Sequence, residues 1–135
     1  MVPFAVQAPA YLPEGYFFVE RMPTEGATYD IDEGADGGDK PAFKMLYRLI
    51  EDGDYTDQYM GITETTWLDA PAAGKGVEVR ENGTTFTIVG TNQKVERVWW
   101  KADGVLYWVS NTLSHLLSKE ELLAVAQSML TIPVQ

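Results

Sequence analysis

The residues able to carry chemistry are few, and their spacing limits what they can do. His115 is the only histidine and the chain has no cysteine. A histidine cluster, a thiolate nucleophile and every cysteine-based metal site are therefore excluded within one chain. A hydrolase built from the remainder would use Ser110 or Ser114 as nucleophile, His115 as base and a carboxylate such as Glu120 as orienter. That trio borders Ser118-Lys-Glu-Glu121, a capping box in which Ser118 and Glu121 are already committed to opening a helix. No acid stands in a context that would raise its pKa for acid–base work. His115 is read as a polar residue at a strand-to-helix junction, and we expect a non-enzymatic protein without catalytic residues.

Metal and phosphate motifs fare no better. The run Asp30-Ile-Asp-Glu-Gly-Ala-Asp-Gly-Gly-Asp39 suggests calcium, because hard cations want several closely spaced oxygens. Aligned on Asp30, however, a helix–loop–helix calcium site needs an acid or amide where Gly34 stands and glycine where Ala35 stands. A solvated loop is the preferred reading, and no metal or other cofactor is expected. Gly74-Lys-Gly76 lacks the rest of a phosphate loop. Asn82-Gly-Thr84 matches a glycosylation acceptor, but Asn-Gly is also what a tight hairpin turn requires.

Twenty acids against ten bases give the 135 residues a net charge of −10. That charge repels phosphate backbones and anionic headgroups, so neither nucleic acid nor an anionic membrane surface is an expected partner. With 45% hydrophobic and 12% aromatic residues, 1–135 reads as one ordinary domain with a sizeable core. No run approaches the ~20 apolar residues of a membrane span. Met1-Val-Pro-Phe is compatible with an expression start placed after a removed anchor or signal.

The elements follow from turns and periodicity. Tyr16 to Met22, Phe43 to Ile50 and Tyr55 to Trp67 read as strands, with a turn at Glu51-Asp-Gly-Asp54. Pro23 to Pro41 is a polar insert read as a mobile acidic loop, and Asp69 to Gly74 is loop. Val77–Glu81 and Thr84–Val89 flank Asn82-Gly83, pairing Val79 with Phe86 on one face and Arg80 with Thr85 on the other. Val95–Ala102 and Val105–Ser110 flank Asp103-Gly104, which sets Trp99 opposite Trp108 and Trp100 opposite Tyr107. After Ser118, Leu122, Val125, Ala126 and Met129 recur at helical spacing, widened by Leu123 and Leu130, and Pro133 forbids continuation. The fold expected is α+β: a curved antiparallel sheet of about 6–7 strands in meander order, with one C-terminal helix, 118–130, packed on one face. Phe86, Ile88, Val79, Trp100, Tyr107, Leu122, Val125, Ala126 and Met129 are expected in its core, with the choice of Trp100 over Trp99 as the inward face of the 95–110 hairpin left open by the sequence.

The 95–110 hairpin is apolar on both faces, and a single helix covers only one. Its second face either packs under a neighbouring loop or meets a partner, since large apolar patches mark interaction sites. Val98-Trp-Trp, Gly104-Val-Leu-Tyr-Trp-Val and Leu117-Ser-Lys-Glu-Glu-Leu-Leu-Ala-Val-Ala-Gln-Ser-Met resemble the end of small extracytoplasmic bacterial domains of unknown function. Pro9-Ala-Tyr-Leu-Pro-Glu-Gly-Tyr16 is similar to the opening of that group. Such domains often hang from a membrane anchor, sometimes in anti-sigma-factor-like proteins, and more distantly resemble periplasmic lipoprotein carriers and sigma-factor regulatory lipoproteins. The resemblance implies an extracytoplasmic interaction or sensory domain with another envelope protein as partner. Its alternative is a carrier of a small hydrophobic ligand held between sheet and helix, with Leu106, Trp67 and Met60 joining Trp99 and Trp108 as lining.

Overall fold

Three two-residue turns organise the sheet. Asp52-Gly53, Asn82-Gly83 and Asp103-Gly104 all have positive φ at both positions, at 51° and 81°, 49° and 83°, and 51° and 78°. This is the type I′ geometry whose twist matches that of the strands it joins. The computed structural model describes residues 7–18, 27–32, 39–91 and 93–131, and for 27–32 and 39–41 the description is of the backbone.

The strands are β1 (Gln7–Pro9), β2 (Tyr16–Phe18), β3 (Ala27–Asp32), β4 (Asp39–Glu51), β5 (Asp54–Thr65), β6 (Val77–Glu81), β7 (Thr84–Gly90), β8 (Val95–Ala102), β9 (Val105–Ser110) and β10 (Met129–Thr131), with one helix, α1 (Lys119–Gln127), before β10. The main sheet runs in the order β2-β4-β5-β9-β8-β7-β6, with β3 also on β4 and every pairing antiparallel. The described residues therefore form an α+β fold of antiparallel strands with a single helix. The order is not one plain meander. β6 to β9 form a meander that starts at the far edge and returns to β5, so the 66–76 connection has to cross the strands between. Four strand spacings come to about 19 Å, well within the reach of that segment.

Two further expectations are corrected. Part of the insert read as loop is sheet: β3 pairs with the first half of β4, from Ala27 opposite Lys44 to Asp32 opposite Asp39. The rest of that insert, with most of the acidic run, lies outside the described residues, as do 19–22 of the expected first strand. The helix also stops short of 130. Ser128 ends it, its hydroxyl donating to the Val125 carbonyl at 2.8 Å and accepting from the amides of Ala10 and Tyr11 at 3.1 Å. Met129–Thr131 then turn extended and pair with β1, which leaves Leu130 exposed.

Register assigns the faces. Met45, Ile62, Val109, Val98 and Ile88 fall in one row across the sheet, with Glu64, Tyr107 and Trp100 in the next. Against this face pack Leu117, Leu122, Val125 and Ala126. Phe86, Ile88, Trp100 and Tyr107 are buried there as expected, and Val79 and Met129 lie partly buried at its margin. Trp100 stacks on Tyr107 at 5.3 Å between centroids, with Phe86 tilted against its other side at 5.4 Å. The capping box that starts the helix is present in full, Ser118 Oγ accepting from the Glu121 amide and Glu121 Oε1 from the Ser118 amide.

Candidate interaction surface

The second face of the sheet carries the residues left over. Trp99 and Trp108 are directly opposed, as the turn required, and both are half-buried. Leu106 lies on the same face and is fully buried, between Lys101 and Thr65 in the register. The 66–76 connection lies over part of this face and is held by side chains rising from it. Arg97 Nε donates to the Ala72 carbonyl at 2.6 Å, and Trp99 Nε1 donates to the Gly74 carbonyl at 2.8 Å. Gly76 has to be glycine, because a Cβ there would sit 2.1 Å from the Ile88 carbonyl oxygen. Trp67 belongs to the connection itself, half-buried, its amide donating to Thr65 Oγ1 at 3.1 Å.

Met60 is the exception among the expected site residues. It is fully buried, pairs with Tyr47 and belongs to the helix-covered face. Four of the five thus gather on the second face or over it, and Met60 does not join them.

The connection leaves Trp99 as the floor of an open groove. One part, of about 490 Å³, is lined by Glu78, Thr84, Thr85, Thr87 and Lys101, with Trp99 at its base. The other, of about 330 Å³, runs under residues 73–76 and shares Glu78, Thr87 and Trp99. Lys101 Nζ stands 5.6 Å from the centre of the Trp99 ring, a cation–π contact.

A second aromatic group on this face has no counterpart in the sequence reading. Phe17 pairs with Arg48, and Arg48 with Tyr59, so the three share one row. The Arg48 guanidinium lies over the rings of Tyr55 and Tyr59, at 4.8 and 5.1 Å, and its Nε donates to the Thr56 carbonyl. Phe17 is 56% exposed and Tyr55 70%. The signal that would have found them is pairing across β2, β4 and β5, which no single run discloses.

Glu64 was also missed, and it overturns the expectation that no acid has a raised pKa. It is fully buried on the helix-covered face, in phase with Met60 and Ile62. Its Oε1 accepts from the Gln7 amide at 2.9 Å, and its Oε2 has no partner. Burial pushes its pKa up to about 8, the Gln7 hydrogen bond pulling the other way. Tyr47 and Tyr107, which burial and then Glu64 raise, are pushed up to about 12. Glu64 lines neither part of the Trp99 groove.

The serine–histidine–carboxylate trio is not assembled among the described residues. His115 sits at φ 54° in the 111–118 loop, the Ser114 amide donates to Gln58 Oε1, and Glu120 faces Lys119 Nζ at 3.9 Å. Asn111, also unforeseen, holds that loop. Its side-chain amide donates to the carbonyls of Val95 and Leu117, and its oxygen accepts from the amides of Thr112 and Leu117. No group of three or more His, Asp or Glu residues able to hold a metal occurs among the described residues, and none of their helices is long and apolar enough to cross a membrane. Comparison with protein-family models, with curated proteins and with solved structures finds no match to this chain.

Proposed function

We propose that this chain is a non-enzymatic interaction or sensory domain of the cell envelope, and that its contact surface is the second face of the sheet. The observation that carries the reading is the residue set left open there: Phe17, Arg48, Tyr55 and Tyr59 at one end, and Trp99 with Lys101 at the other. Tryptophan, tyrosine and arginine are the types that dominate binding energy at protein interfaces. The envelope location rests on the resemblance of the two chain ends alone. The carrier alternative has less support. The notch at the helix rim, between Phe86, Trp100, Ala126 and Met129, holds about 190 Å³, below the ~300–1,000 Å³ usual for a small-molecule site.

The test is capture from envelope extracts with wild type, with Phe17→Ala/Tyr59→Ala and with Leu113→Ala. Leu113 is 89% exposed on the 111–118 loop and serves as the apolar control. Loss of a captured protein in the double variant only, with the thermal transition retained, supports the reading. Identical captured sets in all three chains reject it.

A further inference from the structure

β6 ends the main sheet. Among the described residues it pairs with β7 alone, and Val77, Glu78, Arg80 and Glu81 are exposed, Val77 at 65%. Glu81 and Thr84 close the two-residue turn as a hydrogen-bonded pair, so in antiparallel alternation Val79 and Val77 also direct their main-chain groups at β7. Glu78 and Arg80 then direct theirs outward. The free edge offers a strand donor and acceptor at one acid and one base, two residues apart.

We infer that this chain self-associates through that edge, a second copy pairing antiparallel to β6 about Val79. Parity restricts the choice. Outward-facing groups must meet outward-facing groups, so a two-fold pairing is centred on Glu78, Val79 or Arg80. Centring on Glu78 sets glutamate against glutamate, and centring on Arg80 sets arginine against arginine. Only the Val79 register places Glu78 opposite Arg80 of the second copy and Arg80 opposite its Glu78. Those two pairs are also the ones that exchange main-chain hydrogen bonds. Val79 meets its own copy at the closer, non-hydrogen-bonded site, and Val77 is covered by the stem of Glu81. Charges on an edge strand ordinarily block such pairing; here one register turns the block into attraction. Glu78 also walls the Trp99 groove, so the groove would continue across the two-fold axis. Five paired residues bury far less than the ~1,200 Å² of a stable interface, and the dimer is accordingly weak.

Sedimentation of the whole chain up to about 1 mM, at ~0.15 M salt so that two copies of charge −10 are screened, tests this. Wild type should dimerise with concentration, while Glu78→Arg and Arg80→Glu should each weaken the dimer at least about tenfold, because both opposed pairs become like-charged. An equimolar mixture of the two single variants restores arginine opposite glutamate and should associate as wild type does, as should Glu78→Arg/Arg80→Glu. All three variants change exposed residues only, and circular dichroism verifies that they fold. A wild type that stays monomeric throughout overturns the inference, including the case in which β6 binds some other extended chain. So does a single variant that dimerises like wild type, or a mixture of single variants that does not associate. The Phe17 and Tyr59 end of the sheet is untouched by these changes, so the two tests fail separately.

Discussion

Glu64→Gln isolates the buried carboxyl. The native state keeps Glu64 protonated until the pH passes about 8, whereas the unfolded chain releases that proton near the ordinary value of 4.5. Between those values the native state holds one more proton than the unfolded state, so rising pH lowers stability by about 1.4 kcal/mol per unit. Over the whole window the ceiling is about 5 kcal/mol. Ionisation in place competes with partial opening of the Gln7 contact, so about 2–5 kcal/mol is the expected range. Glutamine keeps the shape and an oxygen for the Gln7 amide, and it carries no charge at any pH. It adds an amide donor pair where Oε2 has no partner, a cost of about 1–3 kcal/mol that does not vary with pH.

Urea unfolding followed by tryptophan fluorescence at pH 5, 6, 7, 8 and 9 reads the difference directly. The other nineteen acids contribute to both chains and cancel in the comparison. Wild type should be the more stable at pH 5, and the gap should close and reverse towards pH 9, with little dependence on salt because the group is buried. Parallel stability profiles for the two proteins across this range would refute the claim that Glu64 is held protonated by its surroundings.

Two further substitutions probe what holds the 111–118 loop and what seats the 66–76 connection on the second face. Asn111→Ala removes the side-chain contacts to Val95, Thr112 and Leu117 and leaves their main-chain groups half-buried; a loss of about 2–4 kcal/mol is expected in denaturant unfolding. Gly76→Ala forces a Cβ against the Ile88 carbonyl and should lift the 73–76 segment from Trp99, costing about 1–3 kcal/mol and shifting the emission of the tryptophans to longer wavelength. An unchanged emission maximum in that variant would show that the connection is not seated where Gly76 places it.

Much of the fold is legible in short stretches because the physics that fixes it is local. Asn82-Gly83 and Asp103-Gly104 set two registers outright, and Ser118 with Glu121 marked the helix start to the residue. Strand order was not legible, because a two-residue turn specifies only its own neighbours. The pairing of β5 with β9 depends on contacts about 45 residues apart in sequence, for which no turn speaks. β3 was obscured by composition: Ala27-Thr-Tyr-Asp-Ile-Asp32 alternates as a strand should, but aspartate is depleted in strands and the surrounding glycines read as loop. Glu64 was in fact visible in principle. Gly61-Ile-Thr-Glu-Thr65 keeps period two, so once Ile62 is placed in the core the carboxylate must follow it.

The strand order also explains why the tryptophan hairpin is apolar on both sides. Because β6 starts at the far edge while β5 lies mid-sheet, the 66–76 connection has to pass over β7, β8 and β9, and the face beneath it needs both apolar contact and donors for its carbonyls. Trp99 supplies both, which is why tryptophan rather than phenylalanine stands there: its ring packs and its N–H reaches Gly74. Arg97 does the same for Ala72 with its stem and guanidinium. The indole pair is thus a packing device in part, and the alternatives of loop cover and recognition surface are not exclusive. Leu106 and Thr87 are wholly covered, while Trp99 and Trp108 keep part of their rings open. Removing Trp99 would therefore free the connection and alter the surface together. Phe17 and Tyr59, remote from the connection, separate recognition from loop anchoring and are the better place to test binding.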